Sequence, residues 1–387
     1  ARENFSGMRV VKSYVQENSE IRKFSHVSTD YVRDNMNLVK VWGMFFPIIM
    51  FFANLSSAIV LLFGGGKVIL SQISMGDFVA FTSYLGILIW PMLAIGWVIN
   101  MLQRGAASMA RINRILDTRP EIEDEENLIQ VDAVSGDIEF KNVTFSYDST
   151  GPVLTDISLK VKQGETLGVV GRTGTGKSTL ISLIPRLYEL KQGTMTIGGN
   201  DLKRYPLKAL RKSVGCVPQD TFLFSDTMRE NIAFGKIDAR DEEIEEIVRV
   251  AQLDKDLKSF PEGLDTPVGE RGVTLSGGQR QRVAIARALL IDPEILVLDD
   301  AFSSVDTDTE DAILHALRER REGRTNIIIS HRISTVKHAD NIIVLDEGRI
   351  AEQGSHDELV ERGGIYSDMY YMQQLEQEIE RSTMRED

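Results

Sequence analysis

Residues 41–66 and 78–103 are each 26 residues long and contain no Asp, Glu, Lys or Arg. As α-helices they would each measure about 39 Å, against a bilayer hydrocarbon core of about 30 Å. Buried core helices rarely stay free of charge for so long twice in succession, so the runs predict two membrane spans. The intervening residues 64–77 form a short expected loop carrying only Lys67 and Asp77. Arg2, Arg9, Lys12, Arg22, Lys23, Arg33 and Lys40 precede the first run, and Arg104, Arg111, Arg114 and Arg119 follow the second. That asymmetry predicts both outer flanks on the cytosolic side. Pro47 and Pro91 fall within the runs and are read as kinks that a helix bundle tolerates. Asn54, Asn100 and Gln103 are the polar positions that could face a pathway or bind a neighbouring helix. The chain starts at Ala1 with no signal peptide, and one hairpin cannot line a pathway alone. Upstream sequence is therefore expected to be missing.

The remainder has a different composition. Residues 1–135 hold 12 basic and 13 acidic side chains, whereas residues 136–387 hold 32 and 44, so nearly all of the net charge of −13 lies in the second part. That balance argues against broad binding to a nucleic-acid backbone. A single cysteine, Cys216, excludes a disulfide framework and a cysteine-based zinc site, and it is read as a packing residue. Residues 117–135, acidic around Pro120, read as a solvated linker. Beyond it, apolar strand-like runs at 137–145, 153–161, 166–170, 295–298, 326–330 and 341–345 alternate with helical patterns. They predict an α/β domain over 136–375 with a largely parallel sheet, followed by a helical tail at 376–387.

Gly171 opens a run of eight residues, Gly171, Arg172, Thr173, Gly174, Thr175, Gly176, Lys177 and Ser178, that fits the phosphate-loop pattern between a strand and a helix. The glycines let backbone N–H groups turn toward a phosphate, and Thr179 continues the helix start. Lys177 is placed to reach the β- and γ-phosphates of ATP and Ser178 to ligate Mg²⁺. Four apolar residues at 295–298 ending in Asp299 and Asp300 read as a Walker B strand, with Asp299 as the carboxylate for Mg²⁺.

With these in place, Leu275, Ser276, Gly277, Gly278 and Gln279 resemble the signature of ATP-binding cassette (ABC) transporters. The resemblance implies that Ser276–Gln279 bind the γ-phosphate of ATP held by a second subunit. It also implies that Tyr147 stacks on adenine, that Gln219 contacts Mg²⁺ or water, that residues 303–306 form the D-loop, and that His331 contacts the γ-phosphate. Residues 266–272, with Glu270 and Arg271, resemble the exporter x-loop, and residues 3–17 resemble an intracellular loop with a coupling helix near 11–17. The implied protein is a multi-pass plasma-membrane exporter half: a partial α-helical transmembrane region over 1–116 and a cytosolic α/β P-loop ATPase.

Where the family's Walker B motif continues with Glu, this chain has Asp300. Its carboxylate sits roughly 1.5 Å short, and a misplacement near 1 Å can slow a reaction about 10²-fold. The expectation is a slow Walker site of its own and an intact signature, as in one half of a heterodimeric bacterial exporter. Its partner would supply the consensus Glu. Charge-free spans favour lipophilic or amphipathic cargo of the multidrug kind. The alternatives are lipid or peptide export, or a regulatory subunit that binds ATP without pumping.

Overall fold

The computed structural model describes residues 2–147, 151–269, 272 and 274–383. The chain forms two compact units, Ala1–Arg119 and Pro120–Asp387.

The first unit is helical. Two short helices, α1 (Arg2–Ser6) and α2 (Met8–Ser13), precede α3 (Glu17–Ile69) and α4 (Met75–Leu116). The short helix expected near 11–17 lies at 8–13 instead, because Val15 takes a left-handed backbone at φ 53° and breaks the turn. At 53 and 42 residues, α3 and α4 extend well beyond the charge-free runs. Their lengths are about 80 and 63 Å, and each is long and apolar enough to cross a membrane. The connection is shorter than the expected 64–77. Helix α3 continues through Gly64, Gly65 and Gly66, and the amide of Leu70 still donates to Gly66 O at 3.1 Å. A Cβ on Gly64 would lie 3.0 Å from the Phe78 ring, so glycine there lets the start of α4 approach α3. Ser74 caps α4: its Oγ accepts from Asp77 N at 3.1 Å, and the Asp77 carboxylate accepts from Ser74 N at 3.3 Å. Between α3 and α4 lies a groove of about 690 Å³ lined by Trp42, Phe45, Phe52, Leu85, Met92 and Trp97, among others. Asn100 also lines it, but its amide donates to Gly96 O of its own helix at 3.1 Å.

In the second unit, only part of the expected solvated linker is free. The carboxylate of Asp124 accepts from Leu207 N at 2.8 Å, Ile129 N donates to Arg204 O at 2.8 Å, and Val134 is buried. Apolar residues at 129, 131 and 134 tie this segment to the core beneath it.

Two sheets follow. Strands β1 (Ile138–Phe145), β2 (Leu154–Val161), β4 (Gln192–Ile197) and β5 (Asn200–Asp201) form an antiparallel sheet in the order β2-β1-β4-β5. Strands β3 (Thr166–Gly171), β6 (Val214–Val217), β7 (Ile295–Asp299), β8 (Thr325–Ile329), β9 (Asn341–Asp346) and β10 (Arg349–Gly354) form the second, in the order β10-β9-β3-β8-β7-β6. All its pairings are parallel except β10 with β9. Continuous apolar burial along β3, β7 and β8 is what a parallel sheet covered on both faces requires. Cys216 departs from the packing expectation: it lies on the edge strand β6 with its side chain exposed between buried Gly215 and Val217.

Around the sheets stand α5 (Lys177–Ser182), α6 (Leu207–Ser213), α7 (Met228–Ala233), α8 (Asp241–Val250), α9 (Asp254–Leu257), α10 (Gly277–Leu290), α11 (Thr307–Arg320), α12 (Ile333–Val336), α13 (His356–Arg362) and α14 (Ile365–Thr383). Of the segment resembling the x-loop, Glu270 and Arg271 lie outside the described residues, as does the end of the tail beyond 383.

Candidate nucleotide site

Because β3, β6, β7 and β8 run parallel, their C-terminal ends meet at one edge of the sheet, where ligands of open α/β sheets bind. The phosphate loop follows β3, Gln219 follows β6, Asp299 ends β7, and His331 follows β8. Together they line a cavity of about 190 Å³ whose walls include Thr173, Gly174, Gly176, Lys177, Ser178, Thr179, Gln219, Asp299, Asp300 and His331. Val153 and Ile329 complete it. No sequence pattern marks those two, because each is one more apolar residue beside or within a strand.

Two glycines of the loop make approaches that leave no room for a side chain. A Cβ on Gly171, at φ 150°, would sit 2.2 Å from Leu345 O, and one on Gly176, at φ 95°, would sit 2.7 Å from the Leu154 side chain. Thr175 Oγ1 donates to Arg172 O at 2.9 Å across the turn. Lys177 Nζ donates to Gly171 O and to Arg172 O, both at 2.8 Å. Burial pushes the Lys177 ammonium below its ordinary value, while Asp299 and Asp300 pull it back up. Burial likewise raises the Asp299 carboxyl above the usual carboxylate range. A hydrogen bond with Ser178 opposes that rise, Asp300 adds to it, and Lys177 and His331 counter it.

Asp300 has a left-handed backbone at φ 48°. Its N–H donates to Ile329 O at 3.0 Å, and its carbonyl accepts from Ser303 N at 3.3 Å and Gln281 Nε2 at 3.4 Å. Tyr147 stands beside the cavity rather than in its wall: its hydroxyl is 3.0 Å from Thr179 Oγ1, and its ring meets those of Phe145 and Tyr188 edge-on.

The donor set suits Mg²⁺. Ser178, Gln219 and the adjacent carboxylates Asp299 and Asp300 line the cavity, and a magnesium site that takes further ligands from phosphates and water needs only one or two carboxylates. Among the described residues no cluster of three or more His, Cys, Asp or Glu forms an all-protein metal cage.

Ser276–Gln279 are not in this cavity. Ser276 caps α10: its Oγ accepts from Gln279 N at 3.2 Å, while Gln279 Oε1 accepts from Ser276 N at 2.9 Å. The Ser276 hydroxyl proton therefore remains available to an external acceptor. Gln279 Nε2 donates to Asp256 at 2.9 Å, and Asp256 pairs with Arg282 at 2.7 Å. Gln281 joins this helix to the segment after β7, donating to Ser303 Oγ at 2.7 Å and accepting from Ser304 N at 2.9 Å. The patterns in the sequence gave no role to Gln281 or Asp256.

A phosphate loop at a parallel sheet edge, a carboxylate pair beside it, and a second phosphate-ready helix start elsewhere define a P-loop ATPase cassette. The chain belongs to the ABC transporter family, with a transmembrane region ahead of its ATPase domain. Residues 154–303 match the ABC transporter family, and residues 1–92 match the ABC transporter transmembrane region. The chain is 44% identical over 374 residues to the probable multidrug resistance ABC transporter ATP-binding/permease protein YheI of Bacillus subtilis, covering 96% of this chain and 64% of that one. It is 37% identical to the ATP-dependent lipid A-core flippase of Syntrophus aciditrophicus, covering 100% of this chain and 64% of the relative. Among solved structures, a bacterial Atm1-family ABC exporter with ATP bound aligns with a TM-score of 0.86 at 36% identity, over 96% of this chain and 65% of that one. The chain thus spans about 64% of the length of these curated relatives.

Proposed function

We propose that this chain serves as one half of an ATP-driven exporter of lipophilic or amphipathic compounds in the cytoplasmic membrane. The observation that carries the reading is the convergence of Lys177, Ser178, Gln219, Asp299, Asp300 and His331 on one cavity, in a chain that also holds two long apolar helices. An apolar, aromatic-lined groove between α3 and α4, and relatives named for multidrug resistance and lipid flipping, support the cargo class.

Lys177 exchanges its two carbonyl partners for the β- and γ-phosphate oxygens of ATP. Ser178, Asp299 and Gln219 would hold Mg²⁺, which would supply charge neutralisation for the phosphates. His331 meets the γ-phosphate from the end of β8, and Tyr147 offers a face for adenine. The transmitted motion is alternating access: closure of two cassettes around ATP, then reopening after hydrolysis. Coupling to the spans runs through the intracellular segment that contains α2.

Hydrolysis at this chain's own site is slow in this reading, and Asp300 is the reason. The main chain of Asp300 is held on both sides, by Ile329 and by Ser303 with Gln281. The backbone is therefore poorly placed to advance the shorter side chain toward a water. The partner is a second half-transporter with Glu in the matching position, and Ser276–Gln279 of this chain complete the partner's site. Purified full-length chain, alone and with its partner, tests this by drug-stimulated, vanadate-sensitive ATPase activity. A homodimer that hydrolyses ATP at the rate of the pair removes the asymmetric reading. ATP binding without stimulated turnover in the pair removes the pump in favour of a regulatory subunit.

A further inference from the structure

The residues on each side of the His331 side chain are held by elements outside the cavity. Towards the core, Arg332 N donates to Ser330 Oγ at 2.9 Å, Ser330 Oγ donates to Thr335 Oγ1 at 3.0 Å, and the Arg332 guanidinium pairs with the buried Glu310 at 2.9 Å. From the other side comes Gln373 of α14. Its Nε2 donates to His331 O at 2.6 Å, and its Oε1 accepts from Ile333 N at 2.8 Å. One side-chain amide thus spans the turn that joins β8 to α12.

Helix α14 is firmly seated where this contact is made. Its first amides, Ile365 N and Tyr366 N, donate to the Glu352 carboxylate at 2.6 and 3.1 Å. Tyr366 is fully buried, and its hydroxyl lies 2.8 Å from His356 Nδ1. Tyr366, Tyr370 and Gln373 fall at i, i+4 and i+7, one face of the helix, and Tyr370 packs against the core. The anchor and the amide clamp therefore belong to one rigid face.

We propose that Gln373 is a positioning residue for the nucleotide cavity, fixing the main chain at 331–333 so that the His331 imidazole faces the terminal phosphate of ATP. The inference rests on reading the cavity as the ATP site. It makes the C-terminal helix part of the phosphate-sensing apparatus: a shift of α14 along its face releases His331 without touching the phosphate loop.

The test is the ratio of Mg-ATP to Mg-ADP affinity, which needs no hydrolysis and so stands apart from the slow turnover assigned to Asp300. Affinities are measured on the full chain reconstituted in lipid nanodiscs, for the parent, Gln373→Ala, His331→Ala and the double variant. The expected result is a ratio lowered about 3- to 10-fold by either single change, the scale of one hydrogen bond. ADP affinity stays unchanged, and the double variant shows no further loss, because one change acts through the other. Gln373→Glu keeps the acceptor for Ile333 N but not the donor to His331 O, and should fall between parent and alanine variant. A loss shared equally by ATP and ADP, or losses that multiply in the double variant, overturns the proposal in favour of a purely structural role. A ratio lowered by His331→Ala but not by Gln373→Ala overturns the role of Gln373 alone. A ratio unmoved by His331→Ala overturns both this proposal and the γ-phosphate reading of His331.

Discussion

Gly278 lies so close to Ser304 that a Cβ on it would stand 2.7 Å from the Ser304 carbonyl oxygen. The contact joins the start of α10 to the segment after β7, so a side chain here must push one away from the other. Gly278→Ala should destabilise the cassette by about 1–3 kcal/mol, seen as a lowered thermal midpoint. It should also reduce turnover of the assembled pair more than ATP binding by this chain. Equal loss of both would place the damage elsewhere.

Asp300→Glu is the direct test of the proposal that this site is slow. Restoring the missing methylene should raise single-site hydrolysis, by up to about 10²-fold if misplacement of the carboxylate is the whole cause. Single-turnover measurements, with ATP affinity determined in parallel, separate this from tighter binding. No gain would remove side-chain length at position 300 as a cause of slow turnover.

Lys177→Ala removes the cation that donates to both Gly171 O and Arg172 O. Two carbonyls lose a partner, and the phosphates lose their fixed charge. ATP affinity should fall at least about tenfold, on the scale of one lost charge-assisted hydrogen bond of about 1.5–3 kcal/mol. Equilibrium binding on the full chain reads it, and substitution at Asn54, which lies outside the cassette, should leave it unmoved.

Glu310 is buried and bonded to both Arg332 and Thr335, whereas the Arg332 side chain remains 43% exposed. Glu310→Ala should therefore cost about 2 kcal/mol, below the figure for a fully buried pair because water can solvate the abandoned guanidinium. Chemical denaturation of the cassette measures it. Thr335→Val should cost less, since it leaves the ion pair in place.

Asp306 caps α11, accepting from Thr309 N at 3.0 Å, and this backbone hydrogen bond holds its carboxyl below the usual range. A depressed carboxyl stabilises the fold while ionised. The contribution is thus full above the unfolded value of about 3.9 and is lost as pH falls through the folded value. Asp306→Ala should lower stability at pH 7 by about 1 kcal/mol. The difference from the parent should close as pH drops below about 4, which a pH series of thermal melts would show.

Much of this was legible in the sequence, for local reasons. The phosphate loop is contiguous and its pattern is readable in eight residues, although the close approaches that force Gly171 and Gly176 come from Leu345 of β9 and Leu154 of β2. Asp299 and His331 announce themselves as polar residues ending apolar runs. What stayed hidden depends on contacts between distant segments. The antiparallel sheet was missed because β4 and β5 carry no clean alternation, with exposed Gln192, Gly193 and Thr194 opening β4. The sequence overstates the hairpin connection because glycines that signal a loop in water continue a helix among apolar neighbours. Residues 128–134 looked like linker because their few apolar side chains are isolated in sequence, yet they close over the core next to Ser213, whose Oγ accepts from Val134 N. Gln281 stands in the run that follows the signature, but its role carries no signal, and Gln373 has none at all: a lone glutamine on a helix is ordinary until the loop it grips is in view.

The lysine of the phosphate loop is already occupied. With Nζ shared between Gly171 O and Arg172 O, the ring of carbonyls keeps its curvature before nucleotide arrives, and little ordering entropy remains to be lost on binding. An incoming ligand must instead compete with two oxygens of the protein's own main chain for one ammonium. In the proposed ATP site, a polyphosphate would bring several anionic oxygens to that exchange, and a single phosphate fewer. What Lys177 has to give up, two main-chain carbonyls of its own loop, sets the threshold that any phosphate ligand has to meet.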